Sequence, residues 1–304
     1  VNAGDTQLAP VAEVNAAVAE ARETLALDGA GRPVTRDSAR VVEVAERLRC
    51  SGHREAVEEL LVHGFLRDAR DRYEEHVRPL MREIPAARFE MGSEPGDCRF
   101  FCGESPRHTV ELSPFLISEQ VVVESLFAIL GQNEDRPDGA ARRPAVGVSW
   151  FDASLFAMWV DCRLPTEAEW ELACGSGSAQ QWCCKKEENL RDWAWYSENA
   201  GGEVHEVACL APNPAGLFDM HGNVWEWCHD YYDQDYYARS PRLDPVNLDE
   251  PSSRSPNRVT RGGSMNSLAE MCRTRYRFHE PPDFWAHDLG FRLVHDVDVK
   301  GDEG

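Results

Sequence analysis

Arg163-Leu164-Pro165-Thr166-Glu167-Ala168-Glu169-Trp170-Glu171 is the stretch on which the reading of this chain turns. Thr166 stands three residues before Glu169, the spacing of a capping box: the hydroxyl takes an orphan N–H of the first turn and the carboxylate reaches back to the cap. A helix is therefore predicted over Thr166–Ala173. Upstream, apolar residues recur at helical spacing over Val123–Leu130 and Trp150–Val160. Downstream, His221-Gly222-Asn223-Val224-Trp225-Glu226-Trp227 sets two tryptophans at alternate positions, so Trp225 and Trp227 share one face of a strand and Glu226 takes the other. Short alternating runs at Arg88–Met91, His108–Leu112, Arg258–Arg261 and Phe291–Val294 add further strands. Residues 175–222 and 230–257 are loop-rich, and loops of that length are usually functional or held by an ion. Within them Asp233–Pro256 reads as an exposed excursion. The pattern is that of an irregular α+β domain with long loops.

Before Pro85 the character differs. Residues 9–83 read as amphipathic helices over Val11–Leu27, from Asp37 or Thr35 to about Leu48, over Glu55–Val62 and over Arg67–Met81, broken at Asp28–Pro33, Ser51-Gly52 and Gly64. The expected organisation is a helical N-terminal region over 1–84, the α+β domain over 85–297 and an acidic tail over 298–304. The N-terminal helices offer apolar faces to the domain or to a partner protein.

The chain has 304 residues, 53 acidic against 32 basic, and a formal net charge of −21. This disfavours nucleic-acid and anionic-membrane binding, which both rely on clustered Lys and Arg. No apolar run is long enough for a membrane-spanning helix. Val1–Asp5 show neither a basic nor an apolar signal region, so a cytoplasmic location is expected, with a preceding segment left open by the missing initiator Met. Ten cysteines are scattered through apolar patterns rather than framed as in small secreted chains, so free thiols are expected. No C-x2-C pair suggests zinc.

Along residues 86–296 the motifs resemble those of the formylglycine-generating-enzyme (sulfatase-modifying-factor) family. Ala86–Ser93 resembles its opening strand, followed in order by Pro106–Val110, Ser113–Phe115 and Pro144–Ala153. Arg163–Glu171 resembles its best-known signature. Then come Pro212–Met220, His221–Trp227, Arg261-Gly262-Gly263-Ser264 and Leu289–Val294. The resemblance implies a C-type-lectin-like fold. In catalytic members two cysteines, separated by four residues, follow the Arg-Gly-Gly-Ser strand and hold copper, which oxidises a cysteine of the substrate protein. The same offset here finds Ser267 at the first position and Cys272 at the second. A serine hydroxyl is a hard, protonated group and a poor ligand for Cu(I), which favours thiolates. Copper is therefore not expected, and Cys272 reads first as a packed small hydrophobe. Another branch joins this domain to a helical iron-binding domain through a His-x3-His-x-Glu motif, which His53, His63 and His76 do not form. The resemblance also implies calcium held by loop oxygens, with Asn199, Asn223 and Glu226 at matching positions.

Met265–Asp288 is the segment that carries the active cysteines in the oxidases. Here it holds Arg273, Arg275, Tyr276, Arg277, Phe278, His279, Phe284, Trp285 and His287. Aromatic and Arg side chains anchor binding hot spots, so this run reads as a locally basic, aromatic patch in an acidic protein. Non-catalytic relatives bind ligands with this face, and in some of them diversity-generating retroelements rewrite it. The expected function is a non-catalytic recognition module that takes a protein or small-molecule ligand on the 265–288 surface. The alternative is a divergent copper-dependent oxidase acting on a substrate cysteine through Cys272.

Overall fold

The computed structural model describes residues 69–94, 102–128, 142–178, 180–184, 186–249 and 256–297. The helices expected over 11–62 and the acidic tail at 298–304 lie outside these residues. Ala69–Arg72 (α1) continues through a π-helical turn, Tyr73–Val77, and a 3-10 turn, Arg78–Leu80. Pro79 sits at the start of that last turn, and the chain then straightens into β1, Met81–Ile84.

This corrects the expected boundary at 84/85. β1 pairs antiparallel with β4 (Phe115–Ser118), and β4 pairs on its other side with β9 (Val294–Asp296). Tyr73 and Val77 are fully buried, and Tyr73 stacks on His295 at 4.1 Å between ring centroids. The two ends of the described chain therefore close on one strand, and residues 69–84 belong to the domain.

β2 (Ala87–Met91) and β3 (His108–Leu112) form a hairpin. A third sheet runs in the order β7-β6-β5-β8, from Phe278–Glu280, Arg258–Arg261, Trp225–Tyr231 and Leu289–Gly290. β8 lies parallel to β5, while the other pairs are antiparallel. The strand expected over Phe291–Val294 is instead split. Phe291–Leu293 cross between β8 and β9, because Arg292 turns inward to a buried partner described below.

Three further helices pack on these sheets. Glu124–Phe127 (α2) is a single turn inside the Val123–Leu130 window, of which residues 129–130 lie outside the described ones. Trp150–Trp159 (α3) and Glu167–Gly175 (α4) match expectation closely. α4 has the predicted capping box, with Thr166 Oγ1 accepting from Glu169 N at 3.2 Å and Glu169 Oε2 accepting from Thr166 N at 2.8 Å. α3 carries a second box, Ser149 with Asp152. Trp150, Phe156, Trp170, Trp227 and Phe291 are all fully buried among the core side chains. The described part of the 233–256 excursion is less exposed than expected. Tyr236, Tyr237 and Asn247 are buried, and Asn247 N donates to Asp230 Oδ1 at 2.9 Å. Among the described residues, no helix is long and apolar enough to cross a membrane.

Candidate functional site

Glu167, Glu169 and Glu171 of α4 are all buried. Isolated carboxylates at such depth would be too costly to ionise, and each meets an arginine brought from elsewhere in the chain. Glu169 takes a two-pronged bond from Arg163, both contacts at 2.6 Å. Glu171 accepts from Arg261 of β6 and from Gly92 N. Glu167 accepts from Arg277 Nε at 2.6 Å and Nη2 at 2.8 Å. Burial pushes the Glu167 carboxyl up, but the Arg277 and Arg261 guanidiniums outweigh it and hold the group below the usual carboxylate range. A fourth pair ties Arg273 to Glu104 at 2.7 and 3.0 Å. These pairs clamp both ends of the 273–277 turn to the scaffold.

Three of the nine side chains expected on the display surface therefore face inward. Arg273, Tyr276 and Arg277 are buried, because Glu104 and Glu167 need their charges and the Arg261 guanidinium donates to the Tyr276 carbonyl. Arg275, Phe278 and His279 are half-buried, while Phe284, Trp285 and His287 are exposed. Trp225 extends the aromatic surface, 5.4 Å from the Phe278 ring and 6.0 Å from Tyr276. Tyr232 packs on His279 at 4.0 Å. The alternation with Trp227 marks Trp225 as scaffold only. Its half-buried state next to fully buried Trp227 follows from its place at the open end of β5, where the sheet meets the loop.

The loop over 281–288 is held by its backbone. Pro282 O accepts from Trp150 N, Ala286 O from Gly147 N, and Asp288 O from Trp225 N at 2.8 Å. The Asp288 carboxylate also accepts from Ser264 Oγ at 2.8 Å. Between these anchors Phe284 is 40% exposed and Trp285 67% exposed. Leaving such rings in contact with water is costly for a free domain, and burying them against a partner is favourable.

Cys272 and Ser267 both converge on the Gly263-Ser264 peptide. Ser267 Oγ accepts from Ser264 N at 2.9 Å. A Cβ added to Gly263, whose φ is +75°, would stand 2.7 Å from Cys272 Sγ. Cys272 is fully buried beside Trp182, Cys184 and Ala269, and burial pushes its thiol well up from the ordinary range. Among the described side chains, Cys162, Cys174, Cys183, Cys184, Cys209, Cys228 and Cys272 are free thiols. His221, also fully buried, donates from Nδ1 to Cys272 O and accepts at Nε2 from Cys183 N. Burial lowers its pKa to about 4, against the Cys272 carbonyl, which raises it, so the ring is neutral and both nitrogens are in use. The residues do not fit the two-thiolate copper site of the oxidases.

Nor do Asn199, Asn223 and Glu226 fit a calcium site. Asn199 Oδ1 accepts from Tyr196 N, and Asn223 Oδ1 accepts from His205 N. Both Glu226 oxygens are taken by Arg292, with Trp170 Nε1 adding a bond at 2.8 Å. A dication beside the Arg292 guanidinium would be repelled, so these three residues serve as scaffold. Among the described residues, no group of three His, Cys, Asp or Glu side chains is arranged to hold a metal.

Asp230 lies beneath the site. Its carboxylate accepts from Glu167 N at 2.8 Å and Asn247 N at 2.9 Å. Burial, then the Glu167 charge, raise its pKa to about 7. The folded state thus holds this proton more tightly than the unfolded chain, whose Asp titrates near ~3.9. The stability it contributes is present below that value and is lost as pH rises through about 7. Asp230→Asn should therefore lose less stability than wild type between pH 5 and pH 8, measured by urea unfolding at each pH. Parallel slopes for the two proteins would refute the assignment.

The family profile described as the sulfatase-modifying factor enzyme 1-like domain matches residues 69–297, a span that begins at α1 as the packing requires. The formylglycine-generating enzyme of Streptomyces coelicolor is 30% identical over 283 residues, covering 71% of this chain and 89% of that protein. Serine/threonine-protein kinase pkn1 of Chlamydia pneumoniae is 37% identical over 160 residues, which make up 52% of this chain and 25% of the kinase. Among solved structures, PvdO from Pseudomonas aeruginosa has a TM-score of 0.62 at 26% identity, with 71% of this chain and 94% of that one covered. Treponema denticola variable protein 1 gives 0.58 at 26% identity, with 71% and 95% covered. Motifs, fold and relatives agree: the chain belongs to the family of the sulfatase-modifying factor enzyme 1-like domain and has the fold of formylglycine-generating enzyme.

Proposed function

We propose that this chain is a recognition module that has kept the scaffold of formylglycine-generating enzyme and binds a protein ligand through the tip of its 281–288 loop. The observation that carries this reading is the exposure of Phe284 and Trp285 on a backbone fixed at Pro282, Ala286 and Asp288. Rigid aromatic anchors lose little conformational entropy on binding. The likeness to Treponema denticola variable protein 1, whose name marks it as variable, is in keeping with a scaffold that carries changeable side chains. Against oxidase chemistry stand Ser267 at one of the two ligand positions and a buried, protonated Cys272.

A random dodecapeptide phage library panned on the immobilised protein tests the reading. Selected binders should lose about thirtyfold or more in affinity for a Phe284→Ser/Trp285→Ser variant, the scale of a hot-spot pair. Binders indifferent to that substitution, or a library that yields none, would overturn it. So would oxygen consumption with a cysteine-containing peptide.

A further inference from the structure

A cleft of about 310 Å3 opens between the 233–256 excursion and the strands beside it, at the lower end of the size range of small-molecule sites. None of its lining residues belongs to the 281–288 loop. Leu112 at the end of β3, Pro114, Phe115 at the start of β4, Val246 and Leu248 give it apolar walls, and Leu248 is 43% exposed. These walls are already in place. Glu111 N donates to Arg242 O at 2.7 Å, Asp244 N to Glu111 O at 2.8 Å and Tyr231 N to Asn247 O at 2.9 Å, which stitches the excursion to β3 and β5. Asp244 also holds the turn after β3, with Oδ1 accepting from Ser113 N at 2.7 Å and Oδ2 from Ser113 Oγ at 2.8 Å. A ligand would meet a site that needs little ordering.

The charged lining is three carboxylates, Glu169, Asp244 and Asp296, against one guanidinium, Arg163. With His229 neutral, that leaves an excess of two negative charges. Arg163 has nothing left for an anion, because all five of its N–H groups are engaged. Nε and Nη2 donate to Asp296 Oδ1, Nη1 and Nη2 to the two Glu169 oxygens, and Nη1 also to Leu164 O. The first turn of α4 is also occupied. Thr166 N, Glu167 N and Glu169 N donate to Glu169 Oε2, Asp230 Oδ2 and Thr166 Oγ1. The neighbouring Arg242 is paired with Glu111 at 2.6 Å. Asp244 differs from the other carboxylates. The bonds described for it come from the neutral donors of Ser113, and each of its oxygens has capacity for a second. A metal ion is a poor match, since no group of three His, Cys, Asp or Glu side chains among the described residues is arranged to hold one.

We infer that this cleft is a second binding site, separate from the 281–288 loop, for a small organic cation. Its ammonium group would bond to Asp244, and its apolar body would lie against Phe115, Val246 and Leu248. Apolar walls reward the body, and the unanswered carboxylate selects the positive end.

Phenethylamine, phenylethanol and phenylpropanoate carry the same ring with a positive, a neutral and a negative end. Saturation-transfer NMR titrations of the three near neutral pH test the inference. On wild type the amine should bind about tenfold tighter than the alcohol or better, the scale of a charge-assisted hydrogen bond, and the acid should not bind. Asp244→Asn keeps an acceptor for Ser113 and should bring the amine down to the level of the alcohol. Leu248→Ser should weaken both. Phe284→Ser/Trp285→Ser should leave amine affinity unchanged, and so should Glu83→Gln at an exposed position of β1. Circular dichroism and thermal unfolding confirm the fold of each variant. Should Asp244→Asn not fold, the contrast of amine with alcohol on wild type and on Leu248→Ser still decides. Absence of saturable amine binding at millimolar concentration overturns the inference, as do equal affinities for amine and alcohol or amine binding that survives Asp244→Asn. Loss of binding in the loop variant or in Glu83→Gln overturns it too, by placing the amine elsewhere or tying it to the general acidity of the chain.

Discussion

Arg292→Ala should cost the domain about 3–5 kcal/mol, the loss typical when one partner of a buried ion pair is removed. For a domain of this size the matching fall in Tm is about 6–20 °C. Arg292 and Glu226 are both 0% exposed. The guanidinium grips the carboxylate at 2.6 and 2.7 Å and donates to the carbonyls of Ser118 and Phe218 at 3.0 and 3.1 Å. Deleting it strips three elements of a common donor and leaves a buried carboxylate with only Trp170 Nε1 for company. Arg292→Lys should lose less, since it keeps the charge, but it cannot restore the fork. Urea unfolding of the three proteins measures the differences. A loss below about 1 kcal/mol for Arg292→Ala, the level of an exposed pair, would show that water reaches Glu226.

This pair also marks where the sequence becomes illegible. The alternation of Trp225, Glu226 and Trp227 is a local pattern, and so is the Thr166–Glu169 box. Both are written in neighbouring residues and both are present in the structure. That Glu226 is buried rather than solvated depends on Arg292, 66 residues away, and nothing in the period of a strand carries that information. Two of the three acids of α4 follow the same rule, while Glu169 meets Arg163 six residues upstream. Glu167 finds Arg277 across 110 residues and Glu171 finds Arg261 across 90.

The 265–288 segment hides its surface for a related reason. Arginine and aromatic composition suggested a surface, but Tyr276 N bonds back to Arg273 O, so the chain turns there and strand alternation no longer sorts the side chains. Which of them face water is then decided by distant carboxylates. β1 is hidden in the sequence for a different reason. Arg67–Met81 keeps a helical period, but pairing with β4 overrides local preference once Pro79 has ended the helix.

Ser267→Cys should give the protein a Cu(I) site that the wild type does not have. Ser267 Oγ and Cys272 Sγ approach adjacent residues, Ser264 and Gly263, from the same buried loop. A thiol at 267 would therefore enter a pocket already shaped around a second sulfur. With a single thiol, burial favours the protonated form and leaves the soft cation with one ligand. Two thiols make a bidentate site whose metal charge offsets the cost of losing their protons. In competition with a Cu(I) chelator under anaerobic conditions, wild type and Cys272→Ala should both stay empty, while Ser267→Cys withdraws one metal ion per chain. Adding Cys272→Ala to Ser267→Cys should abolish that binding, which shows that both sulfurs hold the ion. Tight binding by the wild type that vanishes in Cys272→Ala would instead mean that the buried thiol is a working ligand, and the oxidase reading would displace recognition. Failure of a folded Ser267→Cys protein to bind would mean that the loop has lost the geometry as well as the ligand, so that restoring chemistry here would require rebuilding residues 263–272 rather than one side chain.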